Sequence, residues 1–498
     1  MNARLLSIDV GTTHCRVSVF DPRGGRMAFA SRECAVATDA AGMAEQDAEE
    51  VWRSVLGLLR QAVAECGGNE VRAVCLSVQG DAIIPVDRDG TCLHNAVLGM
   101  DYRSTGQARA AEKLVGGWRI FRHTGMRPHT LNSLCKVLWL RDAHPQIFAR
   151  VRKILTYSDF MLSRLGVEPA IDITMASRTM AFDLRREYWS PRLLARLGID
   201  DGLFSPVVPS GKPVGTMSRE LSGEIGLSSP PLVVAGAHDQ VCAAIGSGVP
   251  VLARTVVSTG SAEVLSAAFD GPVLTRAMYN GFYPCYRFAA PGMYFTFSLN
   301  HAGGLLLDWF RALAGGGGDP STDRLISDLP PGPSPVMVLP HFNGSGTPWC
   351  DTRSRGAILG LSLSTTPGEI ALAILEALAF ELRINLERLQ SAGIPTEEIS
   401  AAGGGAQSPT WLQIKADVLE RPIRTPAAPE AAARGAAILA GTGCGEFASL
   451  AEGIAAMVPE GAQVTPRPGQ SARYRERFAL YRELYPRLTP INRRLIAP

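Results

Sequence analysis

Residues 5 to 21, LLSIDVGTTHCRVSVFD, return in altered form 249 positions later as residues 254 to 270, RTVVSTGSAEVLSAAFD, and both copies end in Phe-Asp. Each copy reads as an apolar strand, a tight turn at Gly11 or Gly260, and a returning strand. A Gly/Thr/Ser-rich turn offers backbone N–H groups and hydroxyls to a phosphate, and glycine lets that phosphate come close. Two such hairpins, one per half, predict a duplicated α/β chain that grips one nucleotide from both sides. Ordinary core hairpins look the same when taken singly. The matched spacing, and the carboxylate Asp9 that the second copy replaces with Ser258, favour the grip.

At 498 residues the chain exceeds one compact core, and two halves of similar size fit the repeat. Hydrophobic residues make up 46% and charged residues 19%, which excludes wholesale disorder. The formal net charge is +2 and no run of Lys and Arg stands out, so a nucleic acid or an anionic membrane is not the expected partner. A small molecule is. The 10 cysteines contain no CxxC pair and no His/Cys cluster, the pattern of buried apolar thiols in a reducing compartment. The apolar stretch from Leu5 is cut at Asp9, too short for a signal peptide, and no run approaches the ~18 apolar residues of a membrane span. A cytoplasmic protein is expected.

Strand-like and helix-like segments alternate: the first hairpin, a helix over Ala48 to Cys66, a strand over Val71 to Val78, and a helical region over Cys135 to Leu165. A short strand from Leu232 to Gly236 leads into AHDQVCAAIGSG, a loop turning into a helix at residues 237–248. The second half repeats the order with its hairpin, a Gly-Gly turn at 303 and 304, and a long helix from Pro367 to Ser391. A strand and Gly-rich turn at Ile399 to Gly405 follow, then two helices. AAIGSG at 243–248 echoes AAILAGTG at 436–443. GGGG at 315–318 and PPGPSP at 330–335 bracket an expected surface excursion. The last 50 residues predict an amphipathic helix packed on the second half.

Five segments can carry chemistry. Asp239 sits at or near a helix N-terminus, where the helix favours an ionised carboxylate that can accept a proton or hold Mg²⁺. A plain N-cap aspartate is the alternative. Asp9 ends its strand beside the Gly11-Thr12-Thr13 turn, as a Mg²⁺ ligand or a turn cap. In AAGGGAQSPTWLQIKADVL, residues 401–419, Gly404 and Gly405 permit close approach of a flat ligand such as adenine, and Ser408 with Pro409 starts a helix; a bare Gly-rich connection fits as well. Gln79 and Asp81 in SVQGDA, and Asp101 and Arg103 in GMDYR, suit a polyhydroxylated ligand or a solvated loop. Gln240 is a hydroxyl ligand or a first-turn polar residue. His129 and His238 lack metal-ligand spacing and read as structural. Neither a Walker A loop nor a GxGxxG fingerprint occurs.

Together these segments resemble the FGGY carbohydrate kinase family, part of the superfamily of hexokinase, actin and the Hsp70 ATPase domain. The likeness runs in family order from IDVGTTHCR through MAEQDAEEVW, SVQGD, MDYRS, KVLWLRDAHP, DITMASRTMAFDL, GAHDQ, STGSAE and RGAILGLS to GGGAQSPTWLQIKADVLERP. It implies an α/β fold of two duplicated ribonuclease-H-like domains with a cleft between them for MgATP and a sugar. The implied units are residues 1–246 on the sugar and Mg/phosphate side, 254–445 on the ATP side, and a helical extension at 446–498.

The resemblance makes Asp239 the catalytic base, and Asp9 with Asp239 the Mg²⁺ ligands. It assigns Gly11, Thr12, Thr13, Arg16, Thr259, Gly260, Gly304, Gly404, Gly405 and Ser408 to ATP. Gln79, Asp81, Asp101 and Gln240 are expected to orient the acceptor, and a homodimer is compatible. Glycerol kinases carry Arg and Glu at the positions of Gly80 and Asp81 and Tyr at that of Leu131, which disfavours glycerol. Xylulokinases carry Met-His after the position of Gln79 and Trp at that of Gly99; those markers are missing. His238-Asp239 is similar to the matching segment of deoxyketose kinases. The implied activity is ATP-dependent phosphorylation of a small sugar or polyol, with a ketopentose or related ketose as acceptor. The rival readings are a nucleotide-binding scaffold or a sugar sensor on the same fold without phosphotransfer.

Overall fold

The opening strand, Arg4–Val10, is apolar almost throughout because it lies mid-sheet with both faces covered, which leaves no solvent side to carry polar residues. The computed structural model describes residues 4–67, 71–314, 322–426 and 430–495. Six strands form the first sheet, in the order Pro213–Thr216, Leu232–His238, Val71–Val78, Arg4–Val10, His14–Phe20, Arg26–Glu33. The three strands Leu232–His238, Val71–Val78 and Arg4–Val10 run parallel, and the rest pair antiparallel. Helix Ala48–Glu65 covers one face. Asp47 caps it by accepting from the N–H groups of Glu49 and Glu50, and Val51, Val55, Leu58, Leu59 and Ala62 make its buried stripe.

The second sheet repeats this plan. Its order is Tyr286–Arg287, Met293–Asn300, Glu263–Asp270, Thr255–Thr259, Ile399–Ala402, Ile423–Thr425, Ala462–Val464. Antiparallel strands again lead into a parallel pair of neighbours and an antiparallel edge. One extra short strand, Tyr286–Arg287, is the main departure. The 25-residue helix Pro367–Ser391 backs this sheet, and it starts as its sequence predicts, with a Thr366/Glu369 capping box and a proline in the first turn. One connection breaks the separation of the halves: helix Ala431–Gly443, late in the chain, packs against Arg4–Val10, Val71–Val78 and Leu232–His238 and against helix Asp239–Gly246.

Several local expectations need correction. The region Cys135–Leu165 is not continuous helix: helices Ser133–Ala143, Pro145–Phe148 and Tyr157–Arg164 flank a strand, Lys153–Leu155, that pairs with Ile84–Val86. The strand expected to stop at Gly236 runs on to His238 and the helix begins at Asp239. Gly236 is no terminator; a Cβ there would stand 1.8 Å from the Leu76 carbonyl oxygen, so glycine serves the close approach of two strands. Beyond residue 446 the chain forms helices Leu450–Met457, Pro468–Tyr481 and Leu484–Leu495, but it also contributes the edge strand Ala462–Val464. The segment at 330–335 is largely exposed and pinned by buried Ser334, whose N–H donates to Glu376; the glycines at 315–318 lie outside the described residues. Of the 10 free cysteines only Cys350 is exposed. Among the described residues no helix is long and apolar enough to cross a membrane.

Candidate active site

The three parallel strands of the first sheet end together, and their carboxyl ends place Asp9, Gln79 to Asp81, and Asp239 along one edge, where α/β sheets commonly bind ligands. Asp9 Oδ1 accepts from Ser77 Oγ at 2.8 Å and Oδ2 from Arg16 Nη1 at 3.3 Å. Arg16 faces it across the hairpin register. Burial outweighs both donors and raises the Asp9 pKa.

Asp239 opens its helix with 29% of its side chain exposed. Its Oδ1 lies 3.1 Å from His238 Nε2, yet no group reaches it in hydrogen-bonding geometry. Burial first, and then the charge of Asp9, push its pKa to about 7. The helix N-terminus therefore does not keep this carboxylate in its ordinary range, contrary to expectation. A carboxyl poised there suits proton transfer near neutral pH.

Around it stand side chains that the sequence did not single out. Arg178 ion-pairs with Asp81 Oδ2, both buried, and stacks 4.9 Å over Tyr286 and 5.2 Å over Phe297. Burial works against its charge, and Asp81 outweighs that to hold its pKa above the usual value. Arg178 Nε and Nη1 and Asp81 Oδ1 are buried without partners. His238, expected to be merely structural, sits at the centre: Nδ1 lies 3.2 Å from the Tyr286 hydroxyl, and burial together with Arg178 holds the imidazole neutral. Gly80 makes room for both, since a Cβ would stand 2.7 Å from His238 Nε2 and 3.0 Å from Arg178 Nε.

Two expected acceptor ligands, Gln79 and Asp101, are held in internal hydrogen-bond networks. Gln79, 3% exposed, accepts from Thr12 Oγ1 and donates to Gln46, while Gln46 donates to the Thr12 carbonyl, so the trio shapes the first turn. Asp101, 1% exposed, accepts from the Ala44 N–H and from the N–H and Nε of Arg103. Gln240 stands half-buried beside Asp239.

A cavity of about 920 Å³ separates this edge from the second half, lined by Asp9, Arg16, Ser258, Gly404 and Glu430 among others. Gly304 donates to the Gly260 carbonyl at 2.8 Å, which sets the N-terminus of helix Gly304–Leu313 against the second hairpin turn, an arrangement that favours anions. Gly405 packs on Thr259 so closely that a Cβ would stand 2.7 Å from its side chain. The Thr259 hydroxyl itself is buried, accepting from Lys415 Nζ at 2.7 Å and donating to Glu263 at 2.8 Å, so it is engaged within the fold. Ser408 caps helix Pro409–Leu419 and donates to Asp323 at 2.6 Å. Glu430, unforeseen, ties the cleft to the first half by accepting from Ser18 and Arg26. Gly11, Thr12 and Thr13 form the first turn, with Thr13 exposed.

Asp239 Oδ1, unpartnered and repelled by Asp9, fits a divalent cation whose remaining ligands are phosphate oxygens and water. Asp9 and Asp239 would hold Mg²⁺, which when bound neutralises charge on the phosphoryl oxygens.

Twin sheets of one topology, with carboxylates on one wall of the cleft and glycine-rich turns on the other, define a two-domain phosphotransferase of the actin/hexokinase/Hsp70 fold. The chain matches the models of the FGGY family of carbohydrate kinases, the N-terminal domain over residues 4–246 and the C-terminal domain over 258–444, and it belongs to that family. It is 26% identical over 492 residues to a xylulose kinase of Bacillus subtilis, covering 98% of each chain. It is 30% identical over 478 residues to a glycerol kinase of Leptothrix cholodnii, covering 92% of this chain and 94% of that one. The crystal structure of a xyloylose kinase from Brucella ovis superposes with a TM-score of 0.88 at 27% identity, over 98% of this chain and 100% of the other. The protein is thus an ATP-dependent kinase that phosphorylates an alcohol group of a sugar or polyol.

Proposed function

We propose that the acceptor is a ketopentose or related ketose and that Asp239 is its general base. The observation that supports this reading is the Asp239 carboxyl, mostly buried at the sheet edge, with one oxygen unpartnered and a pKa brought to about 7. Asp239 accepts the proton of the acceptor hydroxyl as that oxygen attacks the γ-phosphorus in line. Asp81 Oδ1 and the free N–H groups of Arg178 orient neighbouring hydroxyls. Gln79 and Asp101 act behind them as positioning residues through Thr12 and Arg103. Backbone at Gly260, Gly304 and Gly404 receives the nucleotide, and closure of the halves excludes the water that would otherwise hydrolyse ATP.

ADP release over a panel of ketopentoses, deoxyketoses, tetritols, glycerol and aldonic acids tests the reading. Turnover above the ATPase background is expected with a ketose; none with any acceptor leaves a scaffold or sensor. Asp239→Ala should abolish turnover, with ATP binding by calorimetry nearly unchanged. Retained turnover removes Asp239 from the base role.

A further inference from the structure

Behind the Gly11-Thr12-Thr13 turn stand two thiols that phosphoryl transfer does not use. The sulfurs of Cys15 and Cys34 lie 3.2 Å apart, and among the described residues no other two thiols share a hydrogen bond. Cys15, in strand His14–Phe20, sits opposite Arg32, and Cys34 comes two residues after Arg32, just past the end of strand Arg26–Glu33. The two are therefore diagonal neighbours on one face of the sheet, in the core beneath helix Ala48–Glu65. Cys15 is fully buried, whereas Cys34 is 8% exposed. The Cys34 N–H donates to the Thr13 carbonyl at 2.8 Å, which ties the thiol pair to the turn.

A cavity of about 30 Å³ lies over Cys34, between the end of its strand and the first turns of helix Ala48–Glu65, and Glu33, Asp47, Glu50 and Ser54 line it as well. At ~30 Å³ per water it admits a molecule the size of water or hydrogen peroxide and excludes a peptide disulfide. Three carboxylates in the lining repel anionic oxidants, so the reagent that fits is a small, neutral peroxide. When Cys34 ionises, the Cys15 thiol donates to it. That bond outweighs burial and holds the Cys34 pKa below the ordinary thiol value, with Glu50 opposing and Arg32 assisting. The same contact, and then burial, push the Cys15 thiol up. Cys34 is thus fitted to attack first and Cys15 to resolve.

We propose that Cys15 and Cys34 are a peroxide-responsive pair whose disulfide displaces the Gly11-Thr12-Thr13 turn and slows the kinase. This rests on the reading of that turn as part of the ATP site. The Cys34 thiolate attacks one oxygen of hydrogen peroxide; the O–O bond breaks, and hydroxide leaves as water with the proton that Cys34 gave up. The Cys15 sulfur then attacks the sulfur of the Cys34 sulfenic acid. The S–S bond forms as the S–O bond breaks, and the departing hydroxide takes the Cys15 proton to give a second water. Two electrons pass from the thiols to the peroxide. Diagonal neighbours of an antiparallel pair stand about 7–8 Å apart, while a disulfide usually spans Cα atoms separated by about 4.4–6.8 Å, so the bond draws the strands together where the Thr13 carbonyl is tied. A disulfide that distorts its surroundings is readily reduced by a dithiol, which makes the response reversible.

The test treats the full chain with hydrogen peroxide, blocks the remaining thiols, and reads a tryptic digest made without reductant by mass spectrometry. The expected product links the peptide of residues 5–16 to that of residues 33–53. In the same samples kcat/KM for ATP should fall roughly tenfold or more, a misplacement of about 1 Å being enough for such a loss, and dithiothreitol should restore it. Cys34→Ala, at the less buried position, should keep the basal activity and lose the response to peroxide; Cys15→Ala should do the same, and the Tm of each variant reports its folding. Absence of the linked peptide overturns the proposal and leaves the kinase reading intact. So does a linked peptide with unchanged ATP kinetics, a loss of activity that persists in Cys34→Ala, or one that dithiothreitol does not reverse. If the reduced protein turns over no acceptor, the kinase reading fails instead, and the linked peptide together with ATP affinity by calorimetry still decides the redox pair.

Discussion

At the scale of single residues, Asp239, the proposed general base, ties catalysis to stability. Its pKa stands at about 7, above the ordinary 3.8, because burial and Asp9 both disfavour its charge. Below that pKa the carboxyl is protonated and cannot accept the acceptor's proton. The acid limb of kcat/KM for the acceptor is therefore expected at or below about pH 7, since a bound cation can only pull the value down. Stability moves the other way. Between 3.8 and about 7 the folded chain holds a proton that the unfolded chain has released, so this residue's contribution falls as pH rises through that window. Asp239→Asn should then be inactive, with a Tm advantage over the wild type that is negligible near pH 4 and reaches about 2 °C or more at pH 8. A pH series of thermal melts without nucleotide or Mg²⁺ checks it; an advantage that stays constant with pH would mean that Asp239 is not the titrating group.

At the scale of elements, the second hairpin is held by a buried ion pair that the sequence did not disclose. Lys415 Nζ, from helix Pro409–Leu419, reaches Glu263 Oε1 at 2.6 Å and the Thr259 hydroxyl at 2.7 Å, and all three side chains are buried. Removing one partner leaves the other charge stranded, an effect of about 3–5 kcal/mol. Lys415→Met should lower Tm and raise KM for ATP, because the turn at Gly260 loses its anchor. The double variant Glu263→Gln with Lys415→Met should regain over half of the lost Tm; no recovery would assign the loss to packing alone.

Legibility divides along the same line. The hairpins, helix Pro367–Ser391 and strand Val71–Val78 could be read from local periodicity and caps. Asp9 and Asp239 followed from strand ends and from the family likeness. Arg178, Gln46, Lys415 and Glu430 could not, because their partners lie tens to hundreds of residues away and only the folded chain brings them together. The motifs DITMASRTMAFDL and MAEQDAEEVW contained Arg178 and Gln46, and nothing local separated them from their neighbours. Gln79 and Asp101 show the converse, since a strand-end polar residue looks the same in sequence whether it faces a ligand or, as their hydrogen bonds do here, a neighbouring turn.

At the scale of the whole molecule, the two halves meet where helix Asp239–Gly246 crosses helix Ala431–Gly443, the pair whose sequences echo one another. A Cβ on Gly435 would stand 1.9 Å from the Cys242 carbonyl oxygen, and one on Gly246 would stand 1.9 Å from that of Ala431. The helices thus touch backbone to backbone at two points. One follows the last strand of the first half and begins with Asp239; the other begins beside Glu430, which binds the first half and lines the 920 Å³ cavity. A closing rotation that brings the glycine-rich turns toward the carboxylates is expected to pivot on this crossing, and the spacing of the two helices is then expected to set both stability and the closed geometry. Gly435→Ala forces the helices apart, and overpacking of this kind typically destabilises by about 1–3 kcal/mol. The variant should melt lower, bind ATP nearly as wild type, and lose kcat more than roughly tenfold, a misplacement of about 1 Å being enough for such a loss. Gly106→Ala is the control: it lies in helix Thr105–Val115 with nothing within 4 Å of an added Cβ, and alanine there should be neutral or slightly stabilising. Small-angle scattering with nucleotide and acceptor should show contraction of the wild type and of Gly106→Ala but not of Gly435→Ala. Contraction of Gly435→Ala to the wild-type radius, with kcat retained, would remove the crossing from the role of pivot.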